Sequence, residues 1–133
     1  MSVPSIRVIV VDDEDTILLN LVAFLEYANF DVLSASSGEQ AMQILSDEDV
    51  DVGIIDMRLP GMDGNTVILK GHHLKPKMKF LILTGSTNYL IPEVLKQINV
   101  KDEHLFRKPL PDMNVLIRAI HKLVPTKEIN ADE

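Results

Sequence analysis

Val52-Gly53-Ile54-Ile55-Asp56-Met57-Arg58-Leu59-Pro60-Gly61-Met62-Asp63-Gly64 is the stretch from which the fold can be read. A short apolar run ends in a carboxylate, and turn residues follow at once. The run reads as a buried strand; Pro60-Gly61 and Asp63-Gly64 read as a loop. Asp56 is therefore expected where a strand leaves the core. A lone aspartate in such a place is most often a turn residue. Here, however, three other strand-like runs also end in polar residues of complementary chemistry.

Upstream, Ile6 to Val11 is β-branched and apolar, the pattern of a strand buried on both faces, and it ends in Asp12-Asp13-Glu14-Asp15. A helix follows with Leu18, Leu21, Val22 and Leu25 on one side, capped by Asp15 or Thr16 and closed at Asn29-Phe30. Asp31 to Ala35 is a second strand. Ser36 with Glu39, or Ser37 with Gln40, offers a capping box for a helix whose inner stripe is Ala41, Ile44 and Leu45. Downstream of the Gly64 turn, Val67 to Leu74 is a weaker helix, interrupted by Gly71. Phe80 to Leu83 is a fourth strand ending at Thr84-Gly85. A long loop to Ile91 leads to a helix over about Pro92 to Val100. His104 to Arg107 is the fifth and shortest strand, running into Lys108-Pro109. The last helix starts near Asp112, turns Met113, Leu116, Ile117 and Ile120 inward, and stops at Pro125. Residues 126–133 read as a polar, frayed tail after a single domain over 1–125.

Strands alternating with helices predict an α/β fold: a doubly wound, five-stranded parallel sheet of order 2-1-3-4-5 with five helices. The chain has 133 residues, 46% apolar, enough for a core and too apolar for an acidic disordered segment. Its net charge of -7 disfavours direct nucleic-acid binding. Absence of cysteine excludes disulfides and thiolate metal sites. No apolar run approaches the roughly 18 residues of a membrane span, and only four apolar residues separate Arg7 from Asp12, unlike a signal peptide. A soluble cytoplasmic domain is expected.

In such sheets the functional crevice lies at the carboxyl ends of the strands where their order reverses. Asp12 and Asp13, Asp56, Thr84 and Lys108 each end a strand, and strands one and three are neighbours at the reversal. Three converging carboxylates repel: two charges 4 Å apart interact by roughly 4 kcal/mol at an effective dielectric of about 20. Such a cluster takes up protons or binds a hard cation, and oxygen ligands with open water positions favour Mg²⁺. Lys108 and Thr84 complete a pocket for an anion with three equatorial oxygens, and a carboxylate is a competent phosphoryl acceptor. The adjacent pair His72-His73 points about 100° apart on a helix and is not read as a metal site. Met57 and Met62 read as packing residues.

Over roughly residues 5–124 the chain resembles a response-regulator receiver domain of two-component signalling. The resemblance rests on VDDE (Val11 to Glu14), IIDMRLPGMDG (Ile54 to Gly64), LTG (Leu83 to Gly85) and RKPL (Arg107 to Leu110), in this order and spacing. It implies that Asp56 accepts a phosphoryl group from a histidine kinase or histidine phosphotransfer protein. It implies that Asp13, Asp56 and the Arg58 backbone carbonyl bind Mg²⁺ directly, with Asp12 acting through water. Lys108 would pair with the carboxylate or phosphoryl group, Thr84 would move to bond a phosphoryl oxygen, and Lys108-Pro109 would be cis. The expected product is a switch with self-catalysed phosphorylation and dephosphorylation, monomeric or dimeric on phosphorylation. Its output goes to a downstream protein or an attached output domain.

The chain departs from the family at one position. An aromatic switch residue is usual three places before the lysine; here Leu105 stands there. Phe106, one place later on a strand, faces the other way, and Tyr89 in the long loop is the aromatic left to substitute. Arg58 and Ser86 occupy positions that flank the phosphoryl group in the family, and Arg58 is expected to alter access of hydrolytic water. Two other readings compete. An Asp-nucleophile phosphatase of the haloacid-dehalogenase type needs a second Asp where Arg58 stands. A phosphate-independent docking module has no use for the full Asp/Asp/Asp/Thr/Lys set.

Overall fold

The computed structural model describes residues 5–125; the expected tail, 126–133, lies outside the described residues. Five strands, β1 (Arg7–Val11), β2 (Asp31–Ala35), β3 (Val52–Ile55), β4 (Lys79–Thr84) and β5 (Leu105–Arg107), form one parallel sheet of order β2-β1-β3-β4-β5. The expected architecture is borne out. Between and after the strands run α1 (Asp15–Tyr27), α2 (Gly38–Asp47), α3 (Gly64–Leu74), α4 (Glu93–Lys96) and α5 (Asn114–Leu123), with a 3-10 turn over Asp102–His104.

The two-residue period of the strands sorts the core into two layers. Ile9, Val11, Ile55, Phe80 and Ile82 face α2, α3 and α4, meeting Ala41, Leu45, Val67, Ile68 and Leu95. Val8, Val10, Val52, Ile54, Leu81 and Leu83 face α1 and α5, meeting Leu18, Leu21, Leu25, Leu116 and Ile120. Val22, Ile44, Met113 and Ile117, expected inward, are only partly buried at the margins of these layers. Leu105 joins the α2–α4 layer and Phe106 the opposite one, as strand alternation requires.

Several local expectations change. Glu14, not Asp15 or Thr16, is the N-cap of α1, and no side chain caps it; Asp12 Oδ1 instead accepts the Glu14 N–H at 2.9 Å. For α2 the cap is Ser37, accepting from the Gln40 N–H at 3.1 Å, while the Gln40 side chain returns to the Ser36 N–H at 2.8 Å. Glu39 is not part of that box. It accepts the Met62 N–H at 3.2 Å and so pins the loop after Asp56.

Helix α3 begins at Gly64, earlier than expected, because Asp63 accepts the Thr66 N–H at 2.9 Å. Gly71 does not interrupt it: a β-carbon there would lie 3.0 Å from the Phe80 ring, so the glycine brings helix and strand close. Helix α4 is a single turn rather than reaching Val100. Asn99 takes the left-handed conformation (φ 71°) and the Val100 N–H reaches back to the Leu95 carbonyl at 3.0 Å, a closing motif that stops the helix. The same device at Asn29 (φ 73°) ends α1 where expected.

Candidate functional site

Register places the site. Val11 pairs with Ile55 across β1 and β3, so the next residues, Asp12 and Asp56, leave the sheet side by side. The ladder extends one step beyond the strands: the Asp12 N–H donates to the Ala35 carbonyl at 3.1 Å and the Asp56 N–H to the Val11 carbonyl at 3.0 Å. Likewise Thr84 pairs with Arg107, and the Lys108 N–H donates to the Thr84 carbonyl at 2.8 Å. By alternation Asp12, Asp56 and Lys108 share the pleat side of the α1–α5 layer, while Thr84 lies on the other.

The carboxylates of Asp12, Asp13 and Asp56 each place an oxygen within 4.8 Å of the other two. Asp12 and Asp56 are buried at 2% and 4% exposure, whereas Asp13 is open to solvent. The Lys108 ammonium crosses from β5 to meet them, its Nζ donating to Asp12 Oδ2 at 2.8 Å and to Asp56 Oδ2 at 3.4 Å. Glu14 stands 3.7 Å from the same ammonium, a fourth acidic group that the sequence reading left in the motif without a role. The Lys108–Pro109 peptide is cis.

Burial raises the Asp56 carboxyl above the ordinary carboxylate range. The Arg58 N–H, donating to Asp56 Oδ1 at 3.2 Å, and the Lys108 charge pull it down, while neighbouring Asp12 pushes it up further. Burial opposes the charge on Lys108, but the hydrogen bond and charge of Asp12, with Asp56 behind it, leave the lysine raised on balance. The site thus joins two buried carboxyl groups to one ammonium, with a third, exposed carboxyl at its mouth. All the acidic donors are oxygen, the set that suits a hard divalent cation.

Thr84 is fully buried, and its Oγ1 accepts the Ser86 N–H at 3.1 Å. The long loop from Gly85 to Ile91 is held down by contacts not anticipated from sequence. Arg107 donates from Nη1 to the Ser86 carbonyl at 2.5 Å and from Nη2 to the Tyr89 carbonyl at 3.0 Å. The Tyr89 hydroxyl donates to Asn65 Oδ1 at 2.7 Å, and its ring lies against the α2–α4 layer. Strand parity, which sends Arg107 to the Thr84 side, was the one signal that could have pointed to the first contact.

Gly64 is required by the geometry. A β-carbon on it would come within 2.3 Å of the Asp56 carbonyl oxygen and 2.7 Å of the Met57 Cα. His72 and His73 are not among the residues that could share a metal ion; the one such group among the described residues is Asp12, Asp13 and Asp56. No helix among the described residues is long and apolar enough to cross a membrane.

Comparison with known proteins follows the same lines. A family model described as the response regulator receiver domain matches residues 8–121. The alkaline phosphatase synthesis transcriptional regulatory protein PhoP of Bacillus subtilis is 30% identical over 96% of this chain, which spans only 55% of that relative. A response regulator receiver domain protein from Clostridium thermocellum has the same fold, with TM-score 0.75 and 29% identity over 93% of this chain and 98% of its own. A CheY-like receiver domain protein from Methanospirillum hungatei gives TM-score 0.77 and 26% identity over 95% and 98% of the two chains.

Proposed function

Because the chain belongs to the response regulator receiver domain family, we propose that it is a phosphorylation-controlled switch with Asp56 as the phosphoacceptor. One observation carries the assignment: Lys108 Nζ lies 2.8 Å from Asp12 and 3.4 Å from Asp56 at the strand ends, where Asp13 joins the same carboxylate cluster. An acceptor carboxylate needs a neighbouring cation to offset the charge that builds on a phosphoryl group, and a rim that leaves room for in-line approach.

In the step we infer, an Asp56 oxygen attacks phosphorus while the bond to the donor nitrogen of a phosphohistidine breaks. The imidazole departs with the bonding pair and an acyl phosphate remains. Attack by water on that phosphorus returns the carboxylate and inorganic phosphate. Asp56 attacks in its ionised form and supplies no proton: the departing ring carries its own on the second nitrogen and leaves neutral, and in hydrolysis the protons of the water pass to the phosphate and solvent. Lys108 holds the acceptor oxygen and then a phosphoryl oxygen. The Thr84 hydroxyl, which accepts the Ser86 N–H, turns to donate its O–H to a phosphoryl oxygen. Asp13, Asp56 and the Arg58 carbonyl, with Asp12 through water, would hold a magnesium ion. When bound, that ion supplies charge neutralisation to the phosphoryl oxygens.

The donor is a histidine kinase or histidine phosphotransfer protein, and the output goes to a downstream protein or an attached output domain. Residues 1–125 form the receiver and 126–133 its tail, and the unit is a monomer or a phosphorylation-dependent dimer. The chain spans about half the length of the Bacillus relative, so an output domain of that kind belongs to this reading only as a proposal. A phosphatase of the aspartate-nucleophile type is disfavoured by Arg58, since a guanidinium does not act as the general acid that chemistry needs.

Intact-mass spectrometry after treatment with acetyl phosphate and Mg²⁺ tests the assignment. One phosphoryl group per wild-type chain and none on Asp56→Asn is the expected result. An unlabelled wild type would leave the docking-module reading. Turnover of a phosphate ester would restore the enzymatic one.

A further inference from the structure

The sheet face that carries Thr84 ends in a network that phosphoryl transfer does not use. Thr84 and Arg107 are register partners, and Leu105 beneath Arg107 lies in the α2–α4 layer. Arg107 therefore emerges on the Thr84 side, over the loop after β4. Its guanidinium is a rigid planar fork with two parallel donors. The fork takes two carbonyls three residues apart, Ser86 at 2.5 Å and Tyr89 at 3.0 Å. One loop conformation satisfies both; any shift of Ser86 leaves a donor of the fork or a carbonyl of the loop to find a new partner.

At one end this network touches the reactive rim. The Ser86 N–H donates to Thr84 Oγ1 at 3.1 Å, so the residue whose carbonyl Arg107 holds also holds the threonine. At the other end it reaches α3. The Tyr89 hydroxyl donates to Asn65 at 2.7 Å, next to Gly64, whose N–H donates to the Met57 carbonyl at 3.3 Å in the loop after Asp56. Burial and the charge of Asp63 hold the Tyr89 phenol up at about 12, so it stays protonated and a donor at any ordinary pH. No ring of β5 takes part, because Leu105 is aliphatic and Phe106 lies in the other layer.

We propose that Arg107 is a positioning residue that couples Thr84 to Tyr89, making the Tyr89–Asn65 contact the element through which the state of Asp56 is read. The inference rests on the phosphoacceptor reading above. When the Thr84 hydroxyl moves to donate its O–H to a phosphoryl oxygen, its Oγ1 draws away from the Ser86 N–H, Ser86 shifts, the fork re-forms on the displaced loop, and Tyr89 changes its place against Asn65. Arg107 makes no contact with the reacting atoms.

The chain carries its own reporter. It has two tyrosines and no tryptophan; Tyr27 is 90% exposed on α1, and Tyr89 is the other. The 133-residue chain with ring-¹³C tyrosine should give two sets of NMR signals, assigned with Tyr27→Phe. Magnesium with beryllofluoride serves as a stable stand-in for the phosphoryl group, and Asp56 occupancy is read separately by intact mass with acetyl phosphate. In the wild type the Tyr89 signal should move on saturation while Tyr27 stays still. In Arg107→Met, labelling should stay within about twofold of wild type, and the Tyr89 displacement should fall to less than a third. Arg107→Lys, which keeps charge and stem but cannot fork, should behave like the methionine variant.

A Tyr89 response of full size in both labelled variants would overturn the proposal. So would a labelled wild type whose Tyr89 signal does not move. If the wild type takes no label, the phosphoacceptor reading fails first and the coupling with it.

Discussion

Asp56 is held at the rim with its ionised form disfavoured, because burial outweighs the help of Lys108 and the Arg58 N–H. A carboxyl raised in the folded state stabilises the fold when protonated, and that contribution is lost as pH rises through its folded value. Removing the charge should therefore help at neutral pH. Asp56→Asn is expected to melt above the wild type at pH 7. The gap should close as pH falls and vanish below the unfolded carboxylate value of about 3.9; calorimetry across that range checks it. Lys108→Met acts in the opposite sense. It leaves two buried carboxylates facing each other without their cation, and should cost about 3 kcal/mol in urea unfolding at pH 7.

At the scale of elements, the loop from Asp56 to α3 is the part built with least slack. A β-carbon on Gly64 would meet the Met57 side-chain tip, which can swing away, but also the Asp56 carbonyl oxygen and the Met57 Cα, which cannot, so a methyl group there displaces either the start of α3 or the Asp56 carbonyl itself. Gly64→Ala should lose about 3 kcal/mol of stability and lower the rate of Asp56 labelling together. A variant as stable and as reactive as the wild type would mean that the loop moves freely. The single-turn α4 is the opposite case. The β4–α4 loop beside it is fixed by side chains from other elements, Arg107 and the Tyr89–Asn65 pair, rather than by a helix of its own.

At the scale of the molecule, an acidic domain concentrates three carboxylates at one pole of its sheet. A divalent cation that binds there and not to the unfolded chain stabilises by mass action, about 2.7 kcal/mol at a hundred times its dissociation constant. Saturating Mg²⁺ should raise the melting temperature reversibly, with chelation restoring the original value. Asp13→Asn should remove most of that gain, since Asp13 is the open member of the cluster. An equal gain in the variant would place the cation elsewhere.

The order of apolar runs, each closed by a polar residue, was enough to identify the parallel sheet, its strand order and the five residues at its carboxyl end. This is because strand period and crossover chirality are local rules that propagate without knowledge of distant contacts. The aliphatic Leu105 and the turn of Phe106 to the opposite face of the sheet were legible for the same reason. What the sequence left open was settled by partners far apart in the chain. Glu39 capped a loop rather than its own helix, Gly71 served a ring on another element, and Asn99 cut α4 to one turn. Arg107 and Tyr89 joined the rim of β4 to α3. Such contacts depend on three-dimensional proximity between residues whose types are ordinary in themselves, so only the folded arrangement could choose among their available hydrogen-bond partners.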